Sequence, residues 1–166
     1  MITDSDPSGK SIQYFYDSKG NNVKQILRSG KEILFTYDDF NNLIKKEVLG
    51  DTKSLVEYTY DSNNQLIRMK DSLGTTTYDY FRDGKLKSKT HPDNLSLTYN
   101  YDLQGNLIES KDIEGNKTRF HYSPLNGKLI KSEFINLNTA KTLHENYNYD
   151  GLGRIKQRNL ANSSEV

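Results

Sequence analysis

The sequence predicts an all-β chain, an antiparallel meander of about seven tandem β-hairpins forming a twisted or curled strip. Three observations predict it. A tyrosine preceded two positions earlier by another aromatic recurs at nearly constant spacing. The residues leading into each such pair alternate with a period of two, and a turn signal rich in Asp, Asn and Gly follows nearly every one.

The recurring unit reads YFYDSKGNNV, FTYDDFNNL, YTYDSNNQL, YDYFRDGKL, YNYDLQGNL, FHYSPLNGKL and YNYDGLGRI. Its second aromatics are Tyr16, Tyr37, Tyr60, Tyr80, Tyr101, Tyr122 and Tyr149, spaced by 21, 23, 20, 21, 21 and 27 residues. Two positions back stand Tyr14, Phe35, Tyr58, Tyr78, Tyr99, Phe120 and Tyr147, and the residues between the columns are mostly polar. That is the pattern of a strand with one wet face. All 12 tyrosines fall in these two columns.

Each strand is expected to end in a turn. Asp17, Asp38, Asp61, Asp102 and Asp150 follow the tyrosine directly, placed to accept a backbone N–H, and the Asn or Gly beyond tolerates positive φ. Phe81 and Ser123 stand where Asp is otherwise found. Six residues after the tyrosine an aliphatic opens the return strand: Leu43, Leu66, Leu86, Leu107 and Ile155. In the first and sixth copies it comes one residue later, at Val23 and Leu129, which reads as a longer loop or a bulge. A second turn closes each unit (RSGK, LGDT, DSLG, HPDN, DIEG, NLNT), and DPSG at 6–9 belongs to the same series. Two strands per unit give about fourteen. The 27-residue interval is expected to house its extra length as a longer turn between the last two copies. The chain reads as one domain, 1–166, with repeats over about 4–158 and a frayed polar tail at 159–166.

Composition narrows the function classes. Lys and Arg total 23 against 22 Asp and Glu, interleaved throughout, which argues against nucleic acid or an anionic membrane as partner. The absence of cysteine removes disulfides, thiolate metal sites and cysteine nucleophiles. No apolar run is long enough to span a membrane, and MITDSDPSGK has no signal-peptide pattern. Burial must lean on the 12 Tyr and 6 Phe.

At the residues YxYDxxGxL the sequence resembles the YD-repeat, or Rhs-repeat, family of bacterial Rhs proteins, Tc-toxin B and C subunits and the teneurin shell. The resemblance implies a strip of hairpins that spirals into a hollow shell around a polypeptide. It implies a secreted or cell-surface bacterial location, with polypeptide cargo or neighbouring repeats of a larger protein as partners. The seven tyrosines would be structural and the five aspartates would fix the turns.

No catalytic, cofactor or metal site is expected. His91, His121 and His144 lack a repeating acidic partner, and metal or catalytic chemistry needs groups that converge. One Asp per copy is better used as a turn cap than as a calcium ligand, which needs six to eight oxygens. GxSxG, HExxH and phosphate-loop patterns are missing. The expectation is a non-enzymatic structural module. The alternative is a binding module whose exposed aromatic face recognises a glycan or a protein. A single-layer sheet is poorly protected from self-association, so a homo-oligomer formed through the aromatic face or the sheet edges is expected as well.

Overall fold

The computed structural model of the chain describes residues 2–7 and 9–164. It is all-β, and its fifteen strands form one antiparallel meander in which sheet order equals chain order and the sheet does not close. The chain divides into two compact units, Met1–Tyr78 and Asp79–Val166. The first holds β1 (Ile2–Ser5), β2 (Ser11–Tyr16), β3 (Asn22–Ile26), β4 (Glu32–Tyr37), β5 (Leu43–Val48), β6 (Asp51–Tyr60), β7 (Leu66–Asp71) and most of β8 (Gly74–Tyr80). The second holds β9 (Leu86–Thr90), β10 (Ser96–Tyr101), β11 (Leu107–Asp112), β12 (Lys117–Tyr122), β13 (Leu129–Asn136), β14 (Lys141–Tyr149) and β15 (Ile155–Ser164).

The hairpin loop follows from its residues. In the first copy Asp17 N donates to Asn21 O at 2.9 Å and Gly20 N donates to Asp17 O at 3.2 Å. Gly20 takes φ 88°, a left-handed conformation that an L side chain resists. In the second copy Asn41 fills the same place at φ 66°, as the non-glycine residue that best tolerates it. A three-residue loop with a left-handed last residue brings a bulge with it. The register accordingly shifts at the tyrosine in Tyr16↔Asn22, Tyr37↔Leu43, Tyr60↔Leu66, Tyr101↔Leu107, Tyr122↔Leu129 and Tyr149↔Ile155.

Several expectations are corrected. The described residues form fifteen strands instead of about fourteen, because β1 is a return strand standing before the first full hairpin. The first copy has no extra loop residue: Asn22 takes the place that Leu fills elsewhere, and Val23 lies one step inside the strand. The sixth copy does lengthen its loop, closing from Ser123 N to Lys128 O. Phe81 leaves the fourth turn intact, since Phe81 N still donates to Lys85 O at 2.8 Å and Asp83 supplies the carboxylate that caps Lys85 N.

The long interval is taken up by strand and not by turn. β13 and β14 are 8 and 9 residues long, and Phe134↔Leu143, Ile135↔Thr142 and Asn136↔Lys141 extend their ladder. Pairing satisfies backbone groups that a longer loop would have left to water. Residues 159–164, expected to fray, continue β15 against β14 as far as Lys141↔Ser164. Residues 165–166 lie outside the described residues.

Among the described residues no apolar side chain is buried, and the buried polar ones are Thr76 and Asn116. Each unit is therefore a single layer whose cohesion lies within the sheet.

Candidate functional site

The seven second-column tyrosines each stand last in their strand, at the ends of β2, β4, β6, β8, β10, β12 and β14. Their hydroxyls have a repeated use. Tyr37 donates to the Asn22 carbonyl at 3.0 Å, Tyr60 to Leu43 at 2.9 Å, Tyr122 to Leu107 at 2.9 Å and Tyr149 to Leu129 at 2.7 Å. Each acceptor belongs to the residue that pairs with the preceding tyrosine across its bulge. The hydroxyl thus joins one copy to the one before it. Burial pushes the Tyr37, Tyr60 and Tyr122 phenols above the ordinary tyrosine value, helped at Tyr37 and Tyr122 by the preceding copy's Asp17 and Asp102.

Tyr101 is held differently. Its ring meets Phe81 edge to face at 6.3 Å, and the Lys85 ammonium lies 5.9 Å from the ring centre. Lys128 sits 4.9 Å from the Tyr149 ring and Arg158 lies 5.8 Å from the Tyr147 ring. Tyr16 is the exposed one of the column among the described residues. Tyr80 completes the series at the end of β8.

The turn aspartates act on their own loops. Asp17 Oδ1 accepts Lys19 N and Asn21 N, and its Oδ2 accepts Asn21 Nδ2. Asp38 does the same with Phe40 and Asn42. Asp61 accepts Asn63 N and Gln65 N, Asp102 takes Asn106, and Asp150 takes Leu152 N and Arg154. The bond from Asn21 N holds the Asp17 carboxyl below its usual range. The Asn106 amide does so for Asp102, and the Arg154 N–H groups for Asp150. Adjacent turns are also tied together: Asn21 Nδ2 donates to Asn41 Oδ1, and Asn42 Nδ2 to Asn64 Oδ1, both at 3.0 Å.

Sequence reasoning placed a turn at DIEG but did not single out Asp112 and Asn116, which give that turn on the opposite edge of the sheet the same capping bonds. Asp112 Oδ1 and Oδ2 accept the backbone and side-chain N–H groups of Asn116, whose own Oδ1 accepts Leu137 N from the next turn at 3.0 Å. The signal was present, since DIEGN repeats the pattern of DSKGN and DLQGN.

The face opposite the tyrosines carries cross-strand ion pairs, including Lys24–Glu32 at 2.9 Å and Arg119–Glu109 at 3.1 Å. Two of the histidines that sequence reasoning set aside converge on this face. His121 Nε2 lies 3.1 Å and His144 Nδ1 3.4 Å from the Glu133 carboxylate, which Lys131 also caps. The Lys131 bond, opposed by desolvation and aided by His121, lowers Glu133 to about 2. Among the described residues no group of three or more His, Asp or Glu side chains is arranged to hold a metal ion.

Comparison with known proteins gives a consistent result. The family model described as teneurin YD-shell matches residues 1–155. The crystal structure of TcdB2-TccC3-Cdc42 is similar over 92% of this chain at TM-score 0.72 and 18% identity. That of TcdB2-TccC3 is similar over 93% at TM-score 0.71 and 19% identity. The chain spans 9% of the length of either. Among curated proteins none matches.

Proposed function

The chain belongs to the teneurin YD-shell family, and on that basis we propose that it is a wall segment of an Rhs-type shell, a non-catalytic module that helps to encapsulate or deliver a toxin or other polypeptide. The repeated tyrosine join carries this reading. A sheet with no buried apolar side chains among the described residues, held by bonds between neighbouring copies, is built to be extended and to present two surfaces, as a wall must.

In this reading residues 1–166 act as one repeat module. Tyr16, Tyr37, Tyr60, Tyr80, Tyr101, Tyr122 and Tyr149 carry the sheet, and Asp17, Asp38, Asp61, Asp102 and Asp150 fix its turns. Partners are neighbouring repeats and a polypeptide cargo, and the site of action is outside the cell or at its surface. No helix of the described residues is long and apolar enough to cross a membrane.

Cryo-electron microscopy of the natural full-length product tests the proposal. The ribbon should line a closed wall with enclosed polypeptide density on one side. A ribbon open to solvent on both faces would overturn it.

A second reading, glycan recognition by the aromatic face, draws on the exposed Tyr16. Saturable quenching of tyrosine fluorescence by a saccharide would support it, and a flat titration would retire it.

A further inference from the structure

We propose that the hairpin tips of the unit Asp79–Val166 form a self-complementary apolar comb through which a second copy of this chain docks, turn edge against turn edge. On the edge that follows the tyrosines, Leu103, Leu125 and Leu152 stand in successive turns at 102%, 94% and 80% exposure. On the other edge Leu95, Ile113 and Leu137 do the same at 54–60%. Apart from Leu137, whose side chain lies against Gly115, the turns do not require these residues. The fifth loop closes through Asp102 N to Asn106 O and Gly105 N to Asp102 O, and polar Ser18 and Ser62 stand in other copies where Leu103 stands in this one. Apolar side chains repeated at successive tips without a local use mark a surface that is covered in the working protein.

The topology specifies what covers them. Turns on one edge join β10 to β11, β12 to β13 and β14 to β15, and turns on the other join β9 to β10, β11 to β12 and β13 to β14. Each row therefore has a pitch of two strand spacings, about 10 Å, and the rows are offset by one spacing, about 4.8 Å. Shifting a second copy along the strand direction by one strand length sets every tooth of one row opposite a gap in the other. The gaps exist. A hollow of about 330 Å³ lies between the Leu95 and Ile113 turns, lined also by Leu97. On the opposite edge a hollow of about 480 Å³ is lined by the Phe81 and Tyr101 rings together with Arg82, Asp83, Lys85 and Asp102. Leu103 of one copy fits the first, and Leu95 of the other fits the second.

Charge agrees with this pairing. The turns of the tyrosine edge carry Arg82, Lys85, Lys128 and Arg154 against Asp83, Asp102 and Asp150, an excess of one positive charge, whereas residues 91–95, 112–116 and 137–140 contain Asp93, Asp112 and Glu114 and no lysine or arginine. The contact joins unlike edges, so it is heterologous and each docked copy leaves one comb free for the next. It does not depend on whether the sheet encloses a polypeptide.

Sedimentation velocity on the full chain tests this with two double variants, Leu103→Asp with Leu125→Asp, and Ile113→Asp with Leu137→Asp. The unaltered chain should sediment faster as concentration rises. Each variant alone should lose that dependence, and an equimolar mixture should form a one-to-one dimer and nothing larger. Gln in place of Asp gives a second set should either variant lose its β circular-dichroism spectrum. A strictly monomeric unaltered chain, variants that associate as it does, a variant that dimerises by itself, or a mixture that stays monomeric would each overturn the proposal.

Discussion

A hydroxyl distinguishes the two aromatic columns. The second is tyrosine in all seven copies, whereas the first accepts Phe35 and Phe120, and the difference has a physical cause in the bonds from Tyr37, Tyr60, Tyr122 and Tyr149 to carbonyls of the preceding copy. Tyr60→Phe is expected to cost about 1 kcal/mol by removing the donor to Leu43. That corresponds to a fall in Tm of about 2–4 °C for a chain of this size. Tyr99→Phe, in the column that tolerates phenylalanine, should leave Tm nearly unchanged, and equal losses in a thermal melt would refute the distinction. The ladder of rings was legible in the sequence. Its donors were not, because their acceptors are backbone carbonyls, which carry no residue signature. Asn116 was hidden for a related reason: its amide closes its own turn and also accepts Leu137 N, 21 residues away. Asn116→Ala should cost about 1–3 kcal/mol, since it strands partly buried polar groups in two turns. A urea titration reads this directly.

The hairpin turn was largely readable in advance, because Asp, a left-handed Gly or Asn and a following polar residue are each required by its geometry. Lengths were harder to read. The same spacing of seven residues marks a true extra loop residue at Leu129 and only a displaced aliphatic at Val23, and backbone pairing alone separates the two cases. The interval before Tyr149 likewise became strand because its residues could pair. The carboxylates at these turns make stability depend on pH with a definite sign. Asp17, Asp102, Asp150 and Glu133 are all lowered on folding. Their stabilisation is present above the unfolded carboxyl values near 4 and is lost as pH falls through the folded values, down to about 2 for Glu133. Tm should hold from neutral pH down to about 5 and then fall steadily towards pH 2. A Tm that rises on acidification would contradict the capping role. The raised phenols act in the opposite direction. Tyr37, Tyr60 and Tyr122 contribute stability that is intact below the unfolded value near 10 and is lost as pH rises through their folded values.

With no buried apolar side chains among the described residues, the chain hides less surface on folding than a globular domain of equal length. Its urea m-value should accordingly be smaller than that of such a domain, and a value typical of globular chains of this size would mean that the aromatic face is covered in solution. That no apolar side chain among the described residues is buried was foreshadowed by a composition in which burial must lean on 12 Tyr and 6 Phe, although no single residue announces it.

The tyrosine join has one more consequence. Its acceptor is main chain, supplied indifferently by Asn22, Leu43, Leu107 or Leu129. No copy has to recognise its neighbour by side chain there, so copies are interchangeable parts. Deleting residues 38–60 places Tyr37 directly before Asp61, restores an intact YD junction and leaves β4 free to pair with β7. The shortened chain should fold with the same β spectrum. A gene built of such units can change its length by unequal recombination without redesigning a single seam.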